Sequence, residues 1–248
     1  KLLERNAQDG DRLLGAFNQP MTHWLDFFCY TMFVDRDGKF QLGMLSTSAF
    51  KPLAASMGPM LKEESFHLGT GSNGLRRVIK AGVIPLDLLQ RYFNKWVSTA
   101  HDLFGVDASS SAHWSYVWGV KGRWDERKKL DAGIDVDKET LNEEARGHYH
   151  DEIVTEVRKL NGYLPEGSPQ LIVPHENFNR AIGAFKRQKY TIEGTLFEGS
   201  DEEWDAYLQA SLPSDEDEAL LKELFKQEWV ANKPMSARQI ASGIGANA

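Results

Sequence analysis

The sequence predicts a mainly α-helical protein organised around an antiparallel helix pair, and three observations carry that prediction. Leu86, Leu89, Phe93, Trp96 and Val97 recur at three- and four-residue spacing between Pro85 and Phe104, the period of a helix with one apolar face. Pro20 and Thr22 precede an apolar stretch in the order expected of a helix start, with Thr22 as N-cap. Pro52 falls in the first turn of a later stretch, where the N–H that proline lacks has no intrahelical partner anyway.

Taken in order, residues 1–16 carry Leu2, Leu3, Leu13 and Leu14 among charges and read as a helix interrupted near Asp9-Gly10. The helix from Thr22 runs through Trp24, Leu25, Phe27 and Phe28. Beyond it two readings compete: Tyr30 to Leu42 fits a β-hairpin turning at Asp37-Gly38, and it fits equally a helix that continues through a polar interruption. Geometry favours the helix. With one helix from Thr22 to about Ser46 and a second from about Lys51 to Gly69, the turn falls near Phe50. Residues equidistant from such a turn lie level with each other, so Asp35 meets Glu64 and His67. Gly69-Thr70-Gly71-Ser72-Asn73-Gly74 then ends the second helix. The aromatic block His113–Trp118 precedes an exposed connection over Lys128–Asn142. Glu143–Leu160 is a helix, Pro165–Pro174 a loop, and Asn177–Lys186 a short helix. Ser200 and Ser214 are N-caps followed by acidic first turns. The tail after Pro234 has little to bury.

The bulk properties exclude several classes of function. With 248 residues, 41% hydrophobic, the chain has material for one large domain or two modest ones. A net charge of −7 gives no nucleic-acid footprint. The most apolar run, Trp24–Val34, contains Asp26 and is far shorter than the roughly 20 residues that span a bilayer. Cys29 is the single cysteine, which excludes an internal disulfide and a cysteine-ligated cluster and suits a reducing cytoplasm. The amino terminus has neither signal-peptide architecture nor an initiator methionine, so a longer protein is expected.

The chemistry-bearing motif is Glu64-Ser65-Phe66-His67. Carboxylate and imidazole at i and i+3 share a helix face and can reach one metal ion, and Asp35 supplies a second carboxylate at matching depth. Glu63 projects about 100° away. A rival group is Glu144, His148, His150 and Asp151, in which Glu144 and His148 share a face but His148 and His150 do not. His101 and His113, set among aromatics, read as packed residues. The basic groups Arg76-Arg77-Lys80, Lys121-Arg123-Arg127 and Arg180-Lys186-Arg187 read as solvated surface able to meet a phosphorylated ligand. No Gly-x-Ser-x-Gly occurs, and Cys29 has no basic neighbour to activate it.

Several blocks, in order, resemble the oxygenase components of benzoyl-CoA 2,3-epoxidases. They include Trp24-Leu25-Asp26-Phe27-Phe28, Val34-Asp35-Arg36-Asp37-Gly38-Lys39-Phe40, Met60-Leu61-Lys62-Glu63-Glu64-Ser65-Phe66-His67, Gln90-Arg91-Tyr92-Phe93-Asn94-Lys95-Trp96 and Lys121-Gly122-Arg123-Trp124. The resemblance implies a ferritin-like four-helix bundle with a di-iron centre, of which this chain holds the second helix pair. Residues 1–127 would form the second half of the di-iron domain and residues 128–248 a helical C-terminal extension. It also implies that Asp35, Glu64 and His67 are iron ligands, with Asp35 and His67 each on one iron and Glu64 bridging. The other half-site has no counterpart in these residues and would come from the upstream half of the same protein. Apolar walls near Phe28, Thr31, Leu42 and Phe66 would exclude water. The implied activity is O2-dependent epoxidation of an aromatic acyl-CoA, served by an NADPH-dependent reductase component. The alternatives are a non-catalytic helical protein of the same fold and an acyl-CoA-binding module.

Overall fold

In the computed structural model, residues 19–135, 140–180 and 188–224 are described. The interrupted helix expected over residues 1–16 and the tail after Pro234 lie outside the described residues. Of the helix expected over Asn177–Lys186, residues 177–179 lie in a turn, Arg180 follows it without regular structure, and the remainder lies outside the described residues.

The region left open between hairpin and helix is helical. α1 (Trp24–Cys29), a π-helical turn (Tyr30–Val34) and α2 (Asp35–Leu45) follow one another without a break, and Asp37-Gly38 lies inside α2. After a short turn, α3 (Lys51–Ala81) runs back along this rod. α4 (Leu86–Leu103), α5 (Ser110–Val117), α6 (Glu126–Asp131), α7 (Leu141–Asn161), α8 (Asp201–Ser211) and α9 (Asp215–Leu224) complete the chain. Among the described residues the β structure is an isolated bridge between Tyr190 and Leu196. No described helix is long and apolar enough to cross a membrane.

Two elements differ from expectation. α3 does not end at Gly69–Gly74 but runs for 31 residues in all, to Ala81, and its C-cap Gly82 takes φ of 63° and bonds back to the carbonyls of Val78 and Ile79. Gly71 and Gly74 are buried within it, so they serve close packing rather than a helix end. The connection expected over Lys128–Asn142 overlaps the end of α6, whose last turn carries Lys128 and Lys129 beside the carbonyl end of the dipole.

Packing divides the chain into two compact units, Lys1–Pro213 and Ser214–Ala248. In the first, the core joins the rod to α4 and α7. Phe33 meets Phe93 edge-on at 4.9 Å between ring centroids, and Tyr30 meets Trp96 at 5.4 Å. Phe40 lies among Phe104, Trp124 and Tyr149. His101 is fully buried as expected, whereas His113 is exposed on α5, a helix with no buried residue. Ser200 begins α8 with a reciprocal capping box to Glu203. In the second unit Ser214 and Asp217 exchange the equivalent bonds at 2.9 and 3.2 Å.

One buried ion pair ties the rod to α4. Asp26 is fully buried, and its Oδ1 accepts bonds from Trp96 Nε1 and Lys95 Nζ, both at 2.8 Å. Asp26→Ala therefore strands the Lys95 ammonium, itself mostly buried. The expected loss of stability is about 3 kcal/mol or more, read as a lowered urea midpoint at unchanged m-value.

Candidate metal centre

Asp35 opens α2, while Glu64 and His67 lie on α3. His67 Nδ1 is 3.7 Å from Asp35 Oδ2 and 3.8 Å from Glu64 Oε2. One ligand atom from each residue lies within 4.8 Å of the others. The register of the helix pair explains the convergence. Gly38 faces Glu64, Asp35 faces His67, Thr31 faces Gly71 and Phe28 faces Gly74, each pair symmetric about Lys51. The glycine at 38 matters here: a Cβ would lie 3.2 Å from Glu64 Oε1, crowding the carboxylate.

The electrostatics are those of two acids short of a cation. Burial pushes the Glu64 carboxyl above its ordinary range, the Asp35 charge adds to that, and His67 opposes it. Burial likewise raises Asp35 against the pull of His67. Glu64 Oε2 is buried with no hydrogen-bond partner, and 3.8 Å from His67 is too long for one. Tyr30 senses the same field: burial first, then Asp35, Glu64 and Asp37, push its phenol up to about 12. A desolvated carboxylate with an orphaned oxygen, a second carboxylate and an imidazole form a donor set that fits a divalent transition metal such as iron(II).

The rival group has its charge already neutralised. Glu144 and His148 of that group do bring ligand atoms within 4.8 Å of each other, but with Asp125 as the third residue rather than His150 or Asp151. However, Arg123 reaches Asp125 at 2.5 Å and Glu144 at 3.0 Å, and Lys129 reaches Asp125 at 2.8 Å. Burial would raise the Asp125 carboxyl, but the bonds from Arg123 and Lys129 outweigh it and hold it at about 2. His150 turns away from this group, with Nδ1 3.4 Å from His101 Nε2.

Other expectations are corrected. Arg123 and Arg180 are not solvated: each is buried in an ion pair, Arg180 with Asp102 at 2.6 Å. Lys121 is largely enclosed and donates to Gln41 and Asn142 at 2.8 Å each. The Arg127 side chain, Lys186 and Arg187 lie outside the described residues. Of the apolar walls, Thr31 and Leu42 are buried, but Phe66 is 76% exposed, because two residues beyond Glu64 a side chain points to the opposite helix face. Burial pushes the Cys29 thiol far up, so it is no nucleophile.

Asp37 escaped the sequence reading because Asp-Arg-Asp-Gly looks like a solvated turn. It is 4% exposed. Burial raises its carboxyl to about 7, against a 3.1 Å bond from Gln41 and the charge of Lys121, while Glu64 adds to the rise. In the window between an ordinary aspartate and that value the folded state binds more protons than the unfolded state. Stability from this group is thus greatest below about pH 4 and declines as pH rises toward 7. Asp37→Asn keeps an acceptor for Gln41, removes that slope, and is expected to stabilise the protein at pH 8 by on the order of 1–3 kcal/mol. Urea melts of both proteins at pH 5 and pH 8 measure it.

Comparison with known proteins places this sequence in a family. Residues 1–172 match the family described as phenylacetic acid catabolic protein. Benzoyl-CoA oxygenase component B of Aromatoleum evansii is 35% identical over 267 aligned positions, covering 90% of this chain and 56% of that protein. The chain therefore spans little more than half the length of this curated relative. By the extent of the family match and by its helical architecture, the chain belongs to the phenylacetic acid catabolic protein family.

Proposed function

We propose that the chain is part of the oxygenase component of a di-iron monooxygenase that acts on an aromatic acyl-CoA thioester, epoxidising benzoyl-CoA or a related substrate with O2. The observation that carries this reading is the desolvated carboxylate pair with its imidazole, centred in an antiparallel helix pair. Family membership and the name of the benzoyl-CoA relative support the substrate class.

Asp35 and His67 would each hold one iron and Glu64 would bridge. Two carboxylates and one imidazole are too few for two metals, so the matching carboxylate and Glu-x-x-His are assigned to the upstream half of the same protein. Residues 1–127 carry this half of the centre, and residues 128–248 extend it. The chemistry a bound iron pair supplies is reduction of dioxygen. Thr31 and Leu42, buried on the rod, help keep water out, and the Asp35 and Glu64 carboxylates supply negative charge that favours a cation. Monooxygenation consumes two electrons and two protons per dioxygen, with one oxygen entering the substrate and the other leaving as water. An NADPH-dependent reductase component therefore completes the system, in keeping with a relative named as one component of several. The cytoplasm is the natural setting. An acyl-CoA-binding module built on the basic groups is less well supported, since Arg123 and Arg180 are spent on internal ion pairs.

The intact protein is expected to hold about two irons per chain. Asp35→Ala and His67→Ala should each lose iron and oxygenase activity while, compared metal-free, changing unfolding free energy by only about 1 kcal/mol. Iron analysis and activity at wild-type level in either variant would sink the assignment. Given reductant and oxygen, the intact enzyme should oxygenate aromatic acyl-CoA thioesters and leave the matching free acids untouched. Turnover of the free acids alone would show that the thioester assignment is wrong.

A further inference from the structure

The rod that carries Asp35 is not a uniform α-helix. The π-helical turn Tyr30–Val34 closes with the Asp35 N–H bonded to the Tyr30 carbonyl, so an extra residue is taken up immediately before Asp35. One residue corresponds to about 100° of helix rotation. The turn thus sets the faces of α1 and α2 independently, and both faces are committed. Upstream, Asp26 is directed at Trp96 and Lys95 of α4. Downstream, Asp35 is directed at His67 of α3. Without the extra residue, meeting one commitment would turn the other side chain away from its partner.

α3 is shaped to receive this turn. Gly71 lies four residues beyond His67 and seven beyond Glu64, on the face that carries both. A Cβ at Gly71 would fall 2.5 Å from the Met32 backbone nitrogen, 2.7 Å from Thr31 Oγ1 and 2.9 Å from Met32 Cα. Two of these atoms are backbone, so no change of rotamer makes room and the turn itself must move. Thr31 Oγ1 is meanwhile engaged, donating to the Phe27 carbonyl at 2.9 Å. Gly74 differs, because its Cβ would meet the Phe28 ring, a side chain that can swing aside.

We infer that the π turn Tyr30–Val34, seated against the bare backbone of Gly71, is the device that aims the Asp35 carboxylate at the metal centre, with Gly71 as its positioning residue. The inference rests on the metal reading of Asp35, Glu64 and His67 proposed above.

Cobalt(II) binding to the intact protein, followed by titration and by the visible spectrum of the bound ion, provides the test. Gly71→Ala is expected to lower cobalt affinity by about 10–100-fold, as loss of a ligand-orienting contact does, while the far-UV helical signal is retained. Adding Asp35→Ala to Gly71→Ala should cost no further affinity, because the carboxylate is already displaced. Asp35→Glu in the Gly71→Ala background, longer by one methylene, should regain part of the loss. Gly74→Ala should lower Tm yet leave cobalt affinity within about twofold. If Gly71→Ala does not fold, deletion of Met32, which removes the extra residue without adding bulk, is read against Asp35→Ala in the same way. Wild-type affinity in Gly71→Ala, or losses that add fully with Asp35→Ala, would overturn the positioning role and leave the metal reading standing. Absence of cobalt binding by the wild type, or an Asp35→Ala variant that binds as well as it does, would overturn both.

Discussion

Two carboxylates drawn into a helix seam without a cation of their own form the constraint on which the arrangement of α1 to α3 depends. Removing a charged carboxylate from water costs several kcal/mol unless a partner charge or hydrogen bonds compensate. Asp26 shows the compensated case, with an ammonium and an indole N–H on its inner oxygen. Asp125 shows another, held at about 2 by Arg123 and Lys129. Asp35 and Glu64 have only a half-exposed imidazole, and the result is acids pushed upward and an oxygen with no partner. The contrast within one protein separates the candidate site from acids that serve the fold.

Cations are near, but they are committed elsewhere. Arg36 follows Asp35 in sequence, yet its guanidinium turns to Glu152 on α7, and its Nε donates to the Met32 carbonyl in the π turn at 3.1 Å. Lys39 joins the same Glu152 at 2.6 Å. Lys121 donates to the side-chain oxygens of Gln41 and Asn142. α7 thus does two things at once: it docks on α2, and its Glu152 engages the positive charges of Arg36 and Lys39. Had Arg36 or Lys39 folded toward Glu64, an internal salt bridge would have filled the place a metal can take.

The convergence of Asp35, Glu64 and His67 was legible in sequence because its two signals are local and geometric. A carboxylate and a histidine three residues apart must share a helix face, and symmetry about the turn brings Asp35 level with them. The extent of α3 was not legible. A run of glycine with serine and asparagine is the pattern of a helix end, and only the approach of Met32 and Phe28 reveals Gly71 and Gly74 as contact points inside a helix. The fate of the basic groups was illegible for a related reason. Arg180 meets Asp102 and Arg123 meets Glu144 across long sequence separations that no local pattern encodes. Asp37 went unnoticed because its neighbours are polar, while its burial comes from tertiary packing. The π turn leaves no compositional trace at all in an apolar stretch such as Tyr-Thr-Met-Phe-Val.

Burial along α3 is uneven, and the unevenness bears on how the site could work. The C-terminal part seats Gly71, Gly74, Leu75 and Ile79 against its neighbours, whereas Met60, one turn before Glu64 on the same face, is 47% exposed. His67 stands between these regimes with 48% of its side chain exposed. An imidazole so placed has no packing to fix its ring, so its orientation rests on the two carboxylates beside it and on whatever they jointly hold. Asp35 and Glu64 are therefore the fixed part of the centre and His67 the adjustable part. A second helix pair laid over this face would cover Met60, restrict the His67 ring and raise the cost of leaving Glu64 Oε2 without a partner. Enclosing the site and strengthening its demand for a cation would then be the same event, because the water that now screens these charges is what a covering helix displaces.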